Sequence, residues 1–298
     1  MRKQISLLVA TALLITSNLF AQEAKKDTSY WKKKTQFGFT ANEGGVNNDF
    51  AGGGQNSYGV NAFFNTKGEY AKEKTTWVND LQLQFGIINT YGQGGTGMRK
   101  SIDRIFFDTK VGHKLSKTWA LVGGANFQTQ FAKGYKYGGN KDGSDMLNSA
   151  IFSPAFITEY VGFEWKPQPF FNVVFAPGAL RQTIVSDDNV REKDKDGNML
   201  PAYGVPVGKS LQNDVGIMQI VANFDKDVAK NVNLKLRYQV FMNANRIAHI
   251  DNRLDAKLAA KINKYFSATA DLIILYYDNQ STNIQTAHNF GLGFLYTF

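Results

Sequence analysis

The chain has no cysteine, which excludes disulfides, thiolate metal centres, cysteine nucleophiles and lipid-modified cysteine alike. Six prolines and 28 glycines in 298 residues are too few for a fibrous or low-complexity chain. Beyond the N-terminus no run reaches about 18 apolar residues, so a helical multi-span membrane protein is ruled out. A membrane barrel of β-strands survives all three absences, because each of its strands is apolar on one side only. What is present argues for folding: 43% of residues are hydrophobic, and 4 Trp, 13 Tyr and 23 Phe exceed anything a disordered chain carries.

Residues 1–21 pair a basic start (Arg2, Lys3) with an apolar stretch from Leu7 to Ile15 and a small residue, Ala21, before Gln22. This is the pattern of a cleaved secretory signal peptide, too short for a membrane span. The expected organisation is a signal peptide over 1–21, a short periplasmic segment over 22–34 and a single domain over 35–298. Arg2 and Lys3 are the only charges before Ala21, so cleavage takes the formal net charge from +9 to +7. An exported chain does not meet genomic DNA, so no nucleic-acid partner is expected. The basic balance points instead to anionic saccharide or a lipopolysaccharide-type surface.

Hydrophobicity alternates with a period of two over long segments. Trp77, Leu81, Leu83, Phe85 and Ile87 share one face against Asp80, Gln82, Gln84 and Gly86. Val232, Leu234, Leu236, Tyr238, Val240 and Met242 stand against Asn233, Lys235, Arg237 and Gln239. Six unbroken apolar positions match a tilted bilayer crossing, whereas strands of soluble sandwiches run about five or six residues. Read throughout, the chain predicts about twelve strands, near 35–42, 57–66, 77–88, 102–115, 119–131, 155–165, 170–185, 212–224, 232–244, 251–262, 266–278 and 288–298. Long polar links alternate with tight turns, except that the second link, 67–76, reads as longer than a turn. The final segment, HNFGLGFLYTF, alternates aromatic and aliphatic residues and ends on Phe298. The expectation is an all-β transmembrane antiparallel barrel of a Gram-negative outer membrane, with long extracellular loops, short periplasmic turns and an interfacial belt including Trp77, Trp119 and Trp165.

TQFAKGYKY (129–137), SPAF (153–156), KNVNLKL (230–236), IDNRLDAKLAAKINKYFSAT (250–269) and YYDN (276–279) together resemble an uncharacterised family of outer-membrane barrels of Bacteroidetes, known by a domain-of-unknown-function label. The resemblance runs from about Trp31 to the C-terminus. It implies location and fold and brings no assigned activity or catalytic residue.

Strand parity aims Arg104, Lys110, Lys114, Lys235, Arg237, Arg253, Lys257 and Lys261 at the lumen, together with Asp80, Asp108, Glu164, Asp251, Asp255 and Asp271. The candidate lining set is Arg104, Asp108, Lys110, Lys235, Arg237, Arg253, Asp255, Lys257 and Lys261. Eight bases against six acids fit wall-to-wall ion pairs that fill the barrel, or an anion-leaning pore. A second candidate site is the outer mouth, where Gln128, Gln130, Lys133, Tyr135 and Tyr137 offer amide and aromatic groups to a sugar, or fold back as a plug. Asp194, Asp196 and Asn198 have calcium-loop spacing, but Met199 stands at the glycine position and Val205 at the glutamate position, so no metal or cofactor is expected. His113 falls near a periplasmic turn, while His249 and His288 fall at the outer end with Ser281, Asn283 and Asn279. Lipid hydrolysis or acyl transfer is the weaker reading, and no catalytic residue is assigned. Glu159 interrupts an apolar face, which calls for a bulge, a covering partner subunit or reversed parity.

The expected function is a narrow channel or surface-binding barrel for small or anionic solutes, with a non-conducting structural or assembly component as the alternative. Outer-membrane lipids and other envelope proteins are the expected partners.

Overall fold

The computed structural model describes residues 30–44, 56–91, 97–140, 143–247, 250–277, 280 and 283–298. Its strands are β1 (Trp31–Gly44), β2 (Asn56–Lys72), β3 (Thr75–Tyr91), β4 (Gly97–Lys114), β5 (Trp119–Thr129), β6 (Gly134–Lys136), β7 (Met146–Ser149), β8 (Ala155–Gln168), β9 (Phe171–Ile184), β10 (Leu211–Ala229), β11 (Val232–Asn243), β12 (Ile250–Lys261), β13 (Phe266–Tyr276) and β14 (Gln285–Thr297). Twelve of them close into one antiparallel barrel in the order β1-β14-β13-β12-β11-β10-β9-β8-β5-β4-β3-β2, while β6 and β7 form a two-stranded sheet of their own. Closure runs from Gln36↔Thr297 to Ala41↔Leu292, so the aromatic C-terminal segment is the seam strand that leaves no edge in the lipid.

All twelve expected wall strands are present; β1 to β4, β8, β10 and β14 run longer than expected, while β5, β9 and β13 stop one or two residues short. β1 begins at Trp31 rather than 35, and β14 at Gln285 rather than 288. The expected long link at 67–76 is a misreading: β2 and β3 stay paired through Lys72↔Thr75, and the chain reverses at Glu73, φ 51, and Lys74. Likewise β10 continues to Ala229, and Asn231 makes the turn with φ 64. Near the mouths the inner face meets water, so Lys67 and Glu69 are ordinary inward wall residues and their polarity marks no loop. With those corrections, the links 73–74, 115–118, 169–170, 230–231 and 262–265 are tight, and every link at the other end is longer.

The side-chain distribution is that of a soluble protein turned inside out. Outward Leu292 is 63% exposed and Val161 64%, whereas inward Arg253 is 8% exposed and Arg181 6%. A continuous apolar outer surface of this kind has no stable contact with water, and it makes the wall a transmembrane barrel. Aromatic side chains ring the short-turn end. Trp31 contacts Tyr70 at 5.4 Å and Trp77 at 5.6 Å, Trp119 faces Trp165 at 6.5 Å, and Tyr265 stacks on Phe294 at 6.0 Å.

Two irregularities decide which side chains enter the lumen. A register shift between β8 and β9 lies between Val161 and Phe163, and one between β10 and β11 lies between Gly216 and Met218. Each extra residue reverses the alternation beyond it. Phe175 therefore points outward while Ala179, Arg181 and Thr183 point inward. At the long-link end the segments 130–154 and 185–210 build a small cap. Its apolar centre is Ala150, Val185, Val190, Ala202 and Val205, with Leu147 and Tyr203 against it. The fully buried Arg191 side chain ties this cap together by donating to Asp188 and to the carbonyls of Val205 and Lys209.

Candidate functional site

The lumen holds an apolar cluster and a network of charges. On β5 and β8 to β11 the cluster is Val122, Tyr160, Val174, Ala176, Val221 and Phe241, all buried. Glycine makes room for these rings: a Cβ on Gly216 would lie 2.6 Å from the ring of Phe241, and one on Gly124 2.6 Å from that of Tyr160. This inner core was not legible from the polar faces of the strands, since it comes from short apolar stretches that look alike on both sides.

The charges come from both sides of the lumen, from β4 and β12 and from β9 and β11. Asp255 on β12 accepts from Arg253 Nε at 2.7 Å and Nη2 at 2.8 Å. Arg104 on β4 reaches the same carboxylate at 3.4 Å. In the ring of twelve, β4 and β12 stand six places apart, so this contact spans the full diameter. Arg237 on β11 crosses nearly as far to Asp108 on β4, at 3.1 Å, and also donates to Asn223 at 3.3 Å. Arg181 pairs with Asp251, with its guanidinium 3.8 Å above the ring of Phe241. Arg104 and Arg237 flank Phe106, at 4.6 and 5.4 Å from its ring centre. Wall-to-wall pairs in a partly dry interior fix one arrangement of the barrel more than they add stability, because each ion has given up water to make them.

Of the candidate lining residues, Arg104, Asp108, Arg237, Arg253 and Asp255 thus converge on one constriction. Lys110 instead pairs with Glu164, and Lys257 pairs with Asp271 at 3.3 Å beside Phe63. Lys235 lies toward the short-turn mouth, where it is half-exposed and 3.3 Å from Asp225, and exposed Lys261 ends β12 at that rim. Arg181 is the member that parity missed; Pro177 and Gly178 were its only sequence signal, as a break in the strand. The chamber bounded by Arg104, Phe106, Asn126, Phe156, Arg237 and Arg253 holds about 20 Å³, room for a water molecule and no solute.

The outer-mouth set does not form one site. Gln128 lines the lumen chamber. Gln130 donates to the carbonyls of Ala150 and Pro154 and so pins the cap. Lys133 is exposed, while Tyr135 and Tyr137 lie 6.5 Å apart on the cap with Arg99 stacked 3.7 Å over the Tyr137 ring. Burial in the cap pushes the Tyr203 hydroxyl up to about 12, and it donates to the Asn148 carbonyl. The Asp187 carboxyl is lowered by accepting from the backbone N–H and the side-chain amide of Asn189.

The calcium-like spacing serves a turn. Both Asp194 oxygens are taken by Asp196 N, Asn198 N and Asn198 Nδ2, which also lowers this carboxyl, and no metal-binding group occurs among the described residues. His113 and His288 lie on the outer surface, His113 at the short-turn end and His288 level with Leu272 partway up the wall, against the ring of Phe290 at 6.1 Å. His249, Ser281 and Asn279 lie outside the described residues. Glu159 points outward and is exposed, between Ala125 of β5 and Leu180 of β9. Pairing is regular on both sides of it from Phe156 to Val161, so neither a local bulge nor reversed parity accounts for it.

Among curated proteins, none matches this chain. Among solved structures the chain is similar to the NanC porin, at 10% identity and a TM-score of 0.37 over 88% of this chain and 98% of that one. It is similar to the translocator domain of the autotransporter NalP from Neisseria meningitidis at 11% identity and a TM-score of 0.39, covering 99% of this chain and 96% of that one. A third likeness is to the COG4313 outer membrane channel from Pseudomonas putida F1, at 10% identity and a TM-score of 0.38 over 92% and 99%. Residues 41–135, running from β1 into β6, match the model of a family described as protein of unknown function (DUF3078), so the resemblance to an uncharacterised family holds over that stretch.

Proposed function

We propose that this chain is an outer-membrane barrel of a Gram-negative envelope, exported by removal of residues 1–21, whose lumen is a narrow anion-preferring passage held shut toward its long-link end by side-chain pairs. The observation that carries this reading is the chamber lining: Arg104, Arg181, Arg237 and Arg253 converge there, and Asp255 is the single carboxylate among the residues that bound it. A ring of guanidiniums in a low-dielectric lumen attracts anions and repels cations. The barrel acts by passage or binding and carries no catalytic machinery in this reading.

Planar-bilayer recordings of the refolded chain test it. Brief, small openings with reversal potentials favouring anions are expected as the pairs part, and Arg237→Glu with Lys257→Glu moves them toward cations. A second reading, a non-conducting structural or assembly component, is favoured by the trans-lumen pairs Arg104–Asp255 and Arg237–Asp108. Absence of conductance in the wild type and in a variant lacking both pairs decides for that reading.

A further inference from the structure

One guanidinium in the constriction has no acid of its own. Arg237 has Asp108, Arg181 has Asp251, and Arg253 grips both oxygens of Asp255. Arg104 makes only the long third contact to that same Asp255, from the opposite wall, and its Nε is buried without an acceptor. Asn126 is 6% exposed, lines the same chamber, and its Nδ2 is also buried without a partner. Buried donors left unmade carry their full desolvation penalty, which makes two of them at one cavity a site in want of an acceptor.

The surroundings narrow the acceptor. Arg104 alone of the four guanidiniums lacks an acid of its own, so an acceptor that carries one negative charge matches it. The planar guanidinium fork of Arg104, 4.6 Å from the ring centre of Phe106, suits the two oxygens of a carboxylate better than a spherical ion. Beside it stand the rings of Phe156 and Tyr277, edge to face at 6.5 Å. Phe156 offers an apolar face for a flat body, and Tyr277, whose ring already has Arg181 over it at 5.4 Å, backs it. We propose that this chamber recognises a small carboxylate carried on a flat apolar body, with the carboxylate accepting from Arg104 and Asn126 and the body lying against Phe156. The chamber holds about 20 Å³ as it stands, so the ligand enters by drawing Arg104 away from Asp255, and occupancy opens the bridge across the lumen.

The inference rests on the anion-facing reading of the lumen, and its test separates the two. The full chain, refolded in detergent micelles, is titrated calorimetrically with benzoate and with benzylammonium, a probe of similar shape and opposite charge. Saturable benzoate binding is expected, with none for benzylammonium, and Arg104→Gln and Asn126→Leu should each weaken it at least about tenfold. Equal heats for the two probes, or unchanged benzoate binding in both variants, overturn the site and leave the donors to a trapped water. Benzoate binding by a barrel that never conducts supports the site and sinks the passage. Anion-selective conductance without benzoate binding does the reverse.

Discussion

Replacing an outward leucine by arginine should unfold this protein far more readily than removing an inward lysine. Leu272 on β13 is 38% exposed on the outer surface, paired with Ala256 on one side and His288 on the other. It lies six residues along the strand from Phe266, which belongs to the aromatic ring at the short-turn end. At a rise of about 3.4 Å per residue and a tilt near 40°, that is roughly 15 Å above the ring, close to the middle of the apolar band. Leu272→Arg should therefore cost about 2–4 kcal/mol in lipid. Leu258 is in register with Ala270, two residues nearer the ring and about as far from the midplane on its other side, so Leu258→Arg should cost a similar amount. Inward Lys257, by contrast, makes a 3.3 Å pair with Asp271 in which both side chains keep over a fifth of their surface wet. Lys257→Gln loses that pair and the contact with Phe63, together on the order of 1 kcal/mol. Urea titration after folding into lipid vesicles, read by heat-modifiable gel mobility, measures all three. A Leu272→Arg protein as stable as the wild type, beside a Lys257→Gln protein that fails to fold, would mean that inside and outside have been exchanged.

Glu159→Leu should stabilise the refolded barrel, by up to about 2 kcal/mol in the same assay, because an ionisable group leaves the lipid face; a loss of stability would show that something other than lipid contacts this position. Arg104→Ala with Asp255→Ala should enlarge single-channel conductance, since the bridge across the full diameter goes; unchanged conductance places the restriction elsewhere. The cap should loosen in alkali. The folded-state value of Tyr203, about 12, lies above the ordinary 10.0, so its contribution is whole below about pH 10 and fades as the pH rises through 12. Protease cleavage within 185–210 should increase over that window in the wild type, and Tyr203→Phe should flatten the step. An identical profile in the variant assigns the loosening to other groups.

Strand number, closure and sidedness were legible in the sequence because one rule governs them all. In lipid every backbone group must pair and every outward side chain must be apolar, so each crossing writes a period-two pattern roughly as long as the bilayer is thick. Val232 to Met242 and the last strand to Phe298 carry that pattern without interruption. The rule fades where the constraint does, at the mouths, which is why 67–76 read as a loop although Lys67 and Glu69 are wall residues.

Which inward residues meet could not be read the same way, because alternation assigns a face and says nothing about the far side of a closed ring. Arg104 reaches Asp255 across 151 positions of sequence, and only closure in a ring of twelve puts β4 opposite β12. Arg181 enters the lumen because one extra residue in β9 reverses the alternation there, an event that local pattern marks only as a break at Pro177 and Gly178. The apolar cluster beside the charge network, and the two donors of Arg104 and Asn126 left facing one chamber, follow from strand order and stagger. The sequence by itself determined the wall and its two faces; tertiary structure alone decided the contents of the lumen, since those depend on distances across the barrel that no local periodicity encodes.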